Sequence, residues 1–222
     1  MGCGRGATLL PAADRVGPGG RVLGVDLSEQ MTARLQSEVD RRELAQASVR
    51  RADAQALPVD AGSFDIVLCS FVLHLLPEPD RAAAGIVRAL RAGGRCVAAS
   101  PTGLGDDWDF MTMIVGAHAQ RAGHPMVVPF RPQFDVAEVL VAAGLDVTET
   151  VSERAEFSFS DEQAWWDWAW TQGMRGVLEV LSAADLEALR QDLFAGLGRR
   201  RTATGITMTP TAAFVVAEKR AG

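Results

Sequence analysis

The sequence contains no tyrosine, a single lysine (Lys219), three histidines and three cysteines among 222 residues. Each scarcity excludes something. Without Tyr no reaction can run through a phenol or a Tyr/Lys dyad, and the basic charge rests almost wholly on arginine. Cys3, Cys69 and Cys96 are an odd, widely spaced set without a C-x-x-C pair. That pattern fits reduced thiols in a cytoplasm and neither a disulfide framework nor a zinc site, so no bound metal is expected. Long hydrophobic runs are missing too. The longest, Ile66 to Leu76, is interrupted by Ser70 and His74 and falls far short of the roughly 18 residues a membrane helix needs. The opening Met1-Gly2-Cys3-Gly4-Arg5-Gly6 has no secretory apolar stretch, and Gly6 stands where a myristoylation signal requires Ser or Thr.

What is present reads as an ordinary water-soluble globule: 48% hydrophobic and 23% charged residues, with a formal charge of −6. A net acidic field repels polyanions, which argues against nucleic acid and for a small-molecule partner. The length suits one domain spanning residues 1–222. Short apolar runs at Arg21–Asp26, Ser48–Ala52, Phe64–Ser70 and Arg95–Ser100 alternate with amphipathic stretches of helical length. The helical candidates are Ala7–Val16, Ser28–Ala45 opened by a Ser28 cap, Pro79–Ala92 stopped by Gly93-Gly94, and Asp135–Ala143 stopped by Gly144. Such alternation predicts an α/β fold with a mostly parallel sheet. Past residue 100, glycines and prolines break the regularity, so 101–133 reads as an inserted cap. A strand near Asp146–Glu153, a helical stretch over 161–200 and a final strand Ala212–Glu218 complete the order.

Gly2-Cys3-Gly4-Arg5-Gly6 ahead of a helix is a loop whose backbone can approach a ligand closely, with helix amides facing an anionic group. By itself it also satisfies the dinucleotide pattern. Twenty residues beyond Gly6, the run Val22-Leu23-Gly24-Val25 ends in Asp26, a carboxylate at a strand end that can accept both ribose hydroxyls of an adenosine. NAD enzymes and methyltransferases share that device. A third element separates them: Asp53-Ala54 followed by Leu57-Pro58, then Phe64-Asp65-Ile66-Val67 leading to Ser70-Phe71-Val72-Leu73-His74-Leu75-Leu76-Pro77.

With Gly24-Val25-Asp26-Leu27-Ser28-Glu29-Gln30-Met31 as the second motif and Val87 to Gly94 as the turn before the fifth strand, the chain resembles the class I S-adenosylmethionine-dependent methyltransferases. Within these it is similar to the small-molecule group called methyltransferase type 11. The resemblance covers residues 2–100 and implies a Rossmann-like three-layer α/β/α sandwich with a mostly parallel sheet, an antiparallel last strand and a helical cap insertion. It implies S-adenosyl-L-methionine as cofactor. Gly2, Cys3, Gly4 and Gly6 would lie against its methionine portion and Asp26 on the ribose. Leu27 and Met31 would cover the adenine faces, and Asp53 with the Ala54 amide would meet the adenine edge. Ser70 and Phe71 complete the set. Met31 is equally readable as core packing.

One departure stands out. The family's Gly loop follows a central strand, and here only Met1 precedes Gly2. Absence of that strand would leave two parallel edges with unpaired amides and carbonyls. A longer gene product, a substitute segment or subunit, and a decayed relative that no longer binds the cofactor are the competing explanations, the first being favoured.

Transfer of a sulfonium methyl requires in-line alignment, exclusion of water and, for some acceptors, removal of a proton. The candidate bases are His74, just beyond the fourth strand, and His118 and His124 in the cap. Against these stand a structural role for His74 and plain surface histidines for the other two. Asp106, Asp107 and Asp109 around Trp108 read as a solvated turn or a polar acceptor contact, and Arg199-Arg200-Arg201 as a solvated helix end. Trp165, Trp166, Trp168 and Trp170 fall as pairs 165/168 and 166/170 on two helix faces. One face lines an apolar acceptor pocket or a homodimer contact, or the helix is buried all round. The expectation is a cytoplasmic methyltransferase acting on a small-molecule acceptor. The alternatives are a methyltransferase-like protein without transfer activity and, more remotely, an NAD(P) oxidoreductase.

Overall fold

The computed structural model describes residues 1–105, 108–123 and 134–220. In chain order the elements begin with α1 (Leu9–Val16), β1 (Val22–Asp26), α2 (Glu29–Arg41), β2 (Ala47–Arg51) and β3 (Phe64–Ser70). Next come α3 (Pro79–Ala89), β4 (Leu90–Gly103), α4 (Asp109–Arg121), α5 (Val136–Ala142), β5 (Leu145–Arg154) and β6 (Phe157–Phe159). The chain continues with α6 (Glu162–Ala169), α7 (Arg175–Leu178), α8 (Ala183–Gly198), β7 (Ile206–Met208) and β8 (Thr211–Lys219). Two compact units share these elements. One comprises Met1–Ser100, Asp135–Val151 and Ala213–Gly222, the other Pro101–Phe134 and Ser152–Ala212.

The first unit carries the parallel strands. β1 and β2 pair in parallel from Val22 opposite Ala47 to Asp26 opposite Arg51. β3, β4, β8 and β5 form a sheet in that order, with β3 parallel to β4. Leu9 and Ala13 of α1 bury against Leu35 and Val39 of α2 and Ala47 of β2. Ser28 caps α2 as expected, its hydroxyl accepting from the Met31 amide at 3.3 Å. The third helix ends at Ala89 rather than Ala92. There Lys219 at the end of β8 donates to the carbonyls of Val87 and Leu90, both at 2.7 Å, and satisfies oxygens that a terminating helix leaves open.

β1 and β3 do not pair with each other. The first three residues lie between them: the Met1 ammonium donates to the Leu68 carbonyl of β3 at 2.9 Å, and the Cys3 amide to the Val25 carbonyl of β1 at 2.9 Å. Towards the start of β3, Ile66 is 55% exposed, although strands of parallel sheets are ordinarily buried on both faces.

In the second unit α4 lies between Gly105 and Gly123 and runs through Gly116, a helix within the stretch expected as an inserted cap. Its Trp108, Met111, Val115 and Ala119 join Trp165, Trp166, Leu189, Leu193 and Leu197 in one apolar core. The helical stretch over 161–200 is broken into three helices, and β6 and β7, absent from the sequence expectation, pair antiparallel beside them. Trp165 and Trp166 are both buried, so the two faces of α6 are used within this unit. Trp168 packs on Phe159 with ring centres 5.3 Å apart, and Trp166 stands edge-on to Phe194 at 6.4 Å. The arginine run is held too: Arg200 stacks over Phe110 at 4.0 Å and Arg201 pairs with Glu162 at 3.1 Å.

Candidate functional site

The carboxyl ends of β1, β2 and β3 and the Gly loop meet in the first unit. Asp26 closes β1, and both of its oxygens are engaged by backbone amides: Oδ2 accepts from Gly4 at 2.8 Å, Oδ1 from Ser28 at 3.0 Å. A single side chain thereby sets both the Gly loop and the entry to α2. Each carboxylate oxygen retains acceptor capacity for a further donor. Two glycines of the loop do different work. A Cβ on Gly2 would fall 2.2 Å from Cγ2 of Val72, so close approach of the backbone requires Gly there. A Cβ on Gly4 would meet nothing within 4 Å: the surface above it is open, and its φ of +47° is the left-handed conformation that glycine adopts most readily. Gly6 stands against Leu35 of α2. Cys3 lies between Gly2 and Gly4, half-buried, and burial followed by the neighbouring Asp26 charge pushes its thiol pKa up.

Asp53 follows β2 by two residues and opens a short 3-10 turn, Ala54–Ala56. Its Oδ1 accepts from the Gln55 amide at 2.8 Å. Ala54 is buried in the turn. Leu27 is 66% exposed and Met31 half-buried in the first turn of α2. Ser70 ends β3 opposite Ala99 of β4. Phe71, next along, has φ of +56°, an uncommon conformation for a bulky residue, and is 42% exposed. Its amide donates to the Ala99 carbonyl at 2.9 Å, and its ring meets Phe214 edge-on at 6.2 Å. Strained residues of this kind gather at functional sites.

Two residues escaped sequence reasoning. Gln55 binds the Asp53 carboxylate with its side chain as well as its backbone, and Arg51 donates from Nε to the Leu27 carbonyl at 3.2 Å while pairing with Glu29 at 2.9 Å. Only the register that sets Asp26 opposite Arg51 brings the latter contacts together. The three histidines are scattered. His74 is buried in the 3-10 turn Leu73–Leu75 of the first unit. His118 belongs to the second unit, in the last turn of α4, with Nε2 at 2.8 Å from Oδ2 of Asp192 on α8. His124 lies outside the described residues, as do Asp106 and Asp107.

A family profile described as a methyltransferase domain matches residues 1–98. The chain is 33% identical to nocamycin O-methyltransferase of Saccharothrix syringae over 99% of its own length and 84% of that protein. The chain belongs to the methyltransferase type 11 group of S-adenosylmethionine-dependent methyltransferases. This methyltransferase is also 39% identical to aklanonic acid methyltransferase DauC of Streptomyces sp. (strain C5), over 46% of each chain. The YcgJ protein from Bacillus subtilis shares its fold, with a TM-score of 0.67 at 19% identity over 100% of this chain and 90% of that one. The fold is accordingly the Rossmann-like one of class I methyltransferases. Local features of the methyltransferase suit its cofactor. Two carboxylates at adjacent strand ends offer acceptors to hydroxyl and amino donors, and the open face of Gly4 leaves room for backbone contact. When bound, S-adenosylmethionine supplies an electrophilic sulfonium methyl.

Proposed function

We propose that this methyltransferase transfers a methyl group to a hydroxyl oxygen of a small-molecule acceptor. The observation that carries the cofactor part is the placement of Asp26 and Asp53 at the ends of adjacent parallel strands beside the open Gly4. Asp26 receives the ribose hydroxyls, Asp53 and the Ala54 amide meet the adenine edge, and exposed Leu27 with Met31 covers the adenine faces. Gly2, Cys3, Gly4 and Gly6 lie along the methionine portion, with Ser70 and Phe71 at the far wall. Oxygen as the acceptor atom is supported by the nocamycin O-methyltransferase likeness, which extends through both units.

In O-methylation the oxygen–carbon bond forms as the carbon–sulfur bond breaks, and the hydroxyl proton must leave to a base. One candidate is His118, whose Nε2 lies 2.8 Å from Oδ2 of Asp192. With Nε2–H donating to Asp192, Nδ1 carries the lone pair that takes the proton. His74 and His124 remain candidates to be tested beside it. Calorimetric titration of the whole chain with S-adenosylmethionine, S-adenosylhomocysteine and NAD tests the cofactor reading: the first two bind and Asp26→Ala weakens them. Binding of NAD alone refutes it. Single substitutions of His74, His118 and His124, assayed for transfer to hydroxylated acceptors, test the base. Full activity in all three leaves alignment as the source of rate.

A further inference from the structure

The Asp53 carboxylate is not left to find its own orientation. The Gln55 side chain reaches back over the 3-10 turn, and its Nε2 lies 3.2 Å from Oδ1 and 3.3 Å from Oδ2 of Asp53, almost midway between the two oxygens. On its other side, Oε1 accepts from the amide of Glu78 at 2.8 Å, immediately before α3. Donor and acceptor ends of one amide are both consumed. The reverse orientation would set oxygen against carboxylate and NH2 against an amide N–H, so the two partners determine which way the group points. At neutral pH Glu would lack the donor, and Lys or Arg the acceptor.

We propose that Gln55 is a positioning residue for Asp53, holding its carboxylate ready for the adenine amino group and tying that turn to the entry of α3. The inference rests on the reading of Asp53 as the adenine contact. Its physical content is preorganisation: a carboxylate already fixed by a shared N–H donor loses little freedom when the ligand arrives, and its remaining lone pairs face one direction. Other charges flank the turn. Glu78 pairs with Arg81 at 2.7 Å, and Asp80 lies in the first turn of α3. From α3, Arg88 donates to the Leu57 and Val59 carbonyls, and from β2 Arg50 donates to the Pro58 carbonyl.

The experiment compares the full chain with D53N, Q55A and Q55E. Calorimetry is run with S-adenosylhomocysteine and with its analogue whose purine lacks the 6-amino group, and thermal unfolding confirms that each variant is folded. Wild type prefers the amino compound. Q55A loses about tenfold in affinity for it, the scale of one hydrogen bond to a charged group, and little for the analogue. Q55E separates positioning from mere packing. At pH 8 it sets a second carboxylate against Asp53 and weakens binding. When the pH is lowered until one carboxyl of the pair is protonated, the resulting O–H donates where Nε2 did, and affinity returns, which wild type does not imitate. If D53N discriminates the two ligands as wild type does, the adenine reading of Asp53 fails. If D53N loses discrimination while Q55A and Q55E bind like wild type, Gln55 does not position it. An equal loss for both ligands in Q55A, or a pH-independent Q55E, also overturns the proposal.

Discussion

Replacing Asp26 with Asn changes one oxygen to an NH2 group and removes a charge, yet the site is built for two acceptors. Gly4 and Ser28 both point amide hydrogens at the carboxylate, at 2.8 and 3.0 Å. Asn can satisfy one of them and must turn its own donor on the other. A hydrogen bond to a charged group contributes roughly 1.5–3 kcal/mol when shielded. The Gly4 bond is partly buried and the Ser28 bond exposed, which places the combined loss near the low end, about 2 kcal/mol. For a chain of this size that corresponds to a fall of about 4–8 °C in the unfolding midpoint. Ligand affinity falls independently, because the ribose loses an anionic acceptor: S-adenosylhomocysteine is expected to bind about 10- to 100-fold more weakly. Differential scanning calorimetry and titration of D26N measure the two effects separately. An unchanged midpoint would refute the claim that this side chain anchors the Gly loop. Affinity within about twofold of wild type would refute the ribose assignment, whatever the midpoint does.

The two loop glycines should part company. G2A places a methyl on Val72 and lowers stability by more than about 2 kcal/mol, whereas G4A folds at a cost of about 1 kcal/mol of backbone strain but binds S-adenosylmethionine poorly, as unfolding and titration together show. K219M removes both donors from the carbonyls of Val87 and Leu90 and should destabilise the first unit by about 2 kcal/mol in urea unfolding, without altering the ligand contacts of the Gly loop. Cys69 and Cys96 have thiol pKa values pushed up by burial to about 11 and about 12, from an ordinary 9.0. The unfolded chain therefore loses these protons first, so their contribution to stability is intact below pH 9 and declines as the pH rises through the window up to those folded values. Native-state alkylation at pH 8 should label Cys3 and spare both buried thiols; labelling of all three in the folded chain would contradict their placement. D192N is expected to depress methyl transfer with S-adenosylhomocysteine affinity preserved. A loss of both, or of neither, removes Asp192 from the role of orienting His118.

Much of the parallel unit was legible because its signals are local. β3 follows the expected bounds, Phe64–Ser70, since an apolar run closed by a polar residue has few ways to be misread. Ser28 announces α2 through a cap that needs only three residues. The end of α3 was misjudged because Lys219, 130 positions further on, supplies the donors there. The bounds of α4 had no such local signal: its Gly and Pro neighbours suggest breakage, whereas burial of Trp108, Met111 and Val115 in a common core rewards a helix there.

For the candidate site, residue types at the right intervals along the chain pointed to Gly4, Asp26 and Asp53, because the proposed holding of a nucleoside calls for small residues and acids at strand ends. How those groups are held was decided by tertiary structure. The Gly4 hydrogen bond to Asp26, the Glu78 amide that fixes the Gln55 side chain, the Arg51 contacts and the pairing of His118 with Asp192 each need atoms that chain folding or strand register brings to within hydrogen-bonding distance. Short-range preference states which groups are available. Hydrogen bonds are formed by atoms about 3 Å apart, and the distance between residues distant in sequence exists only once the chain has folded.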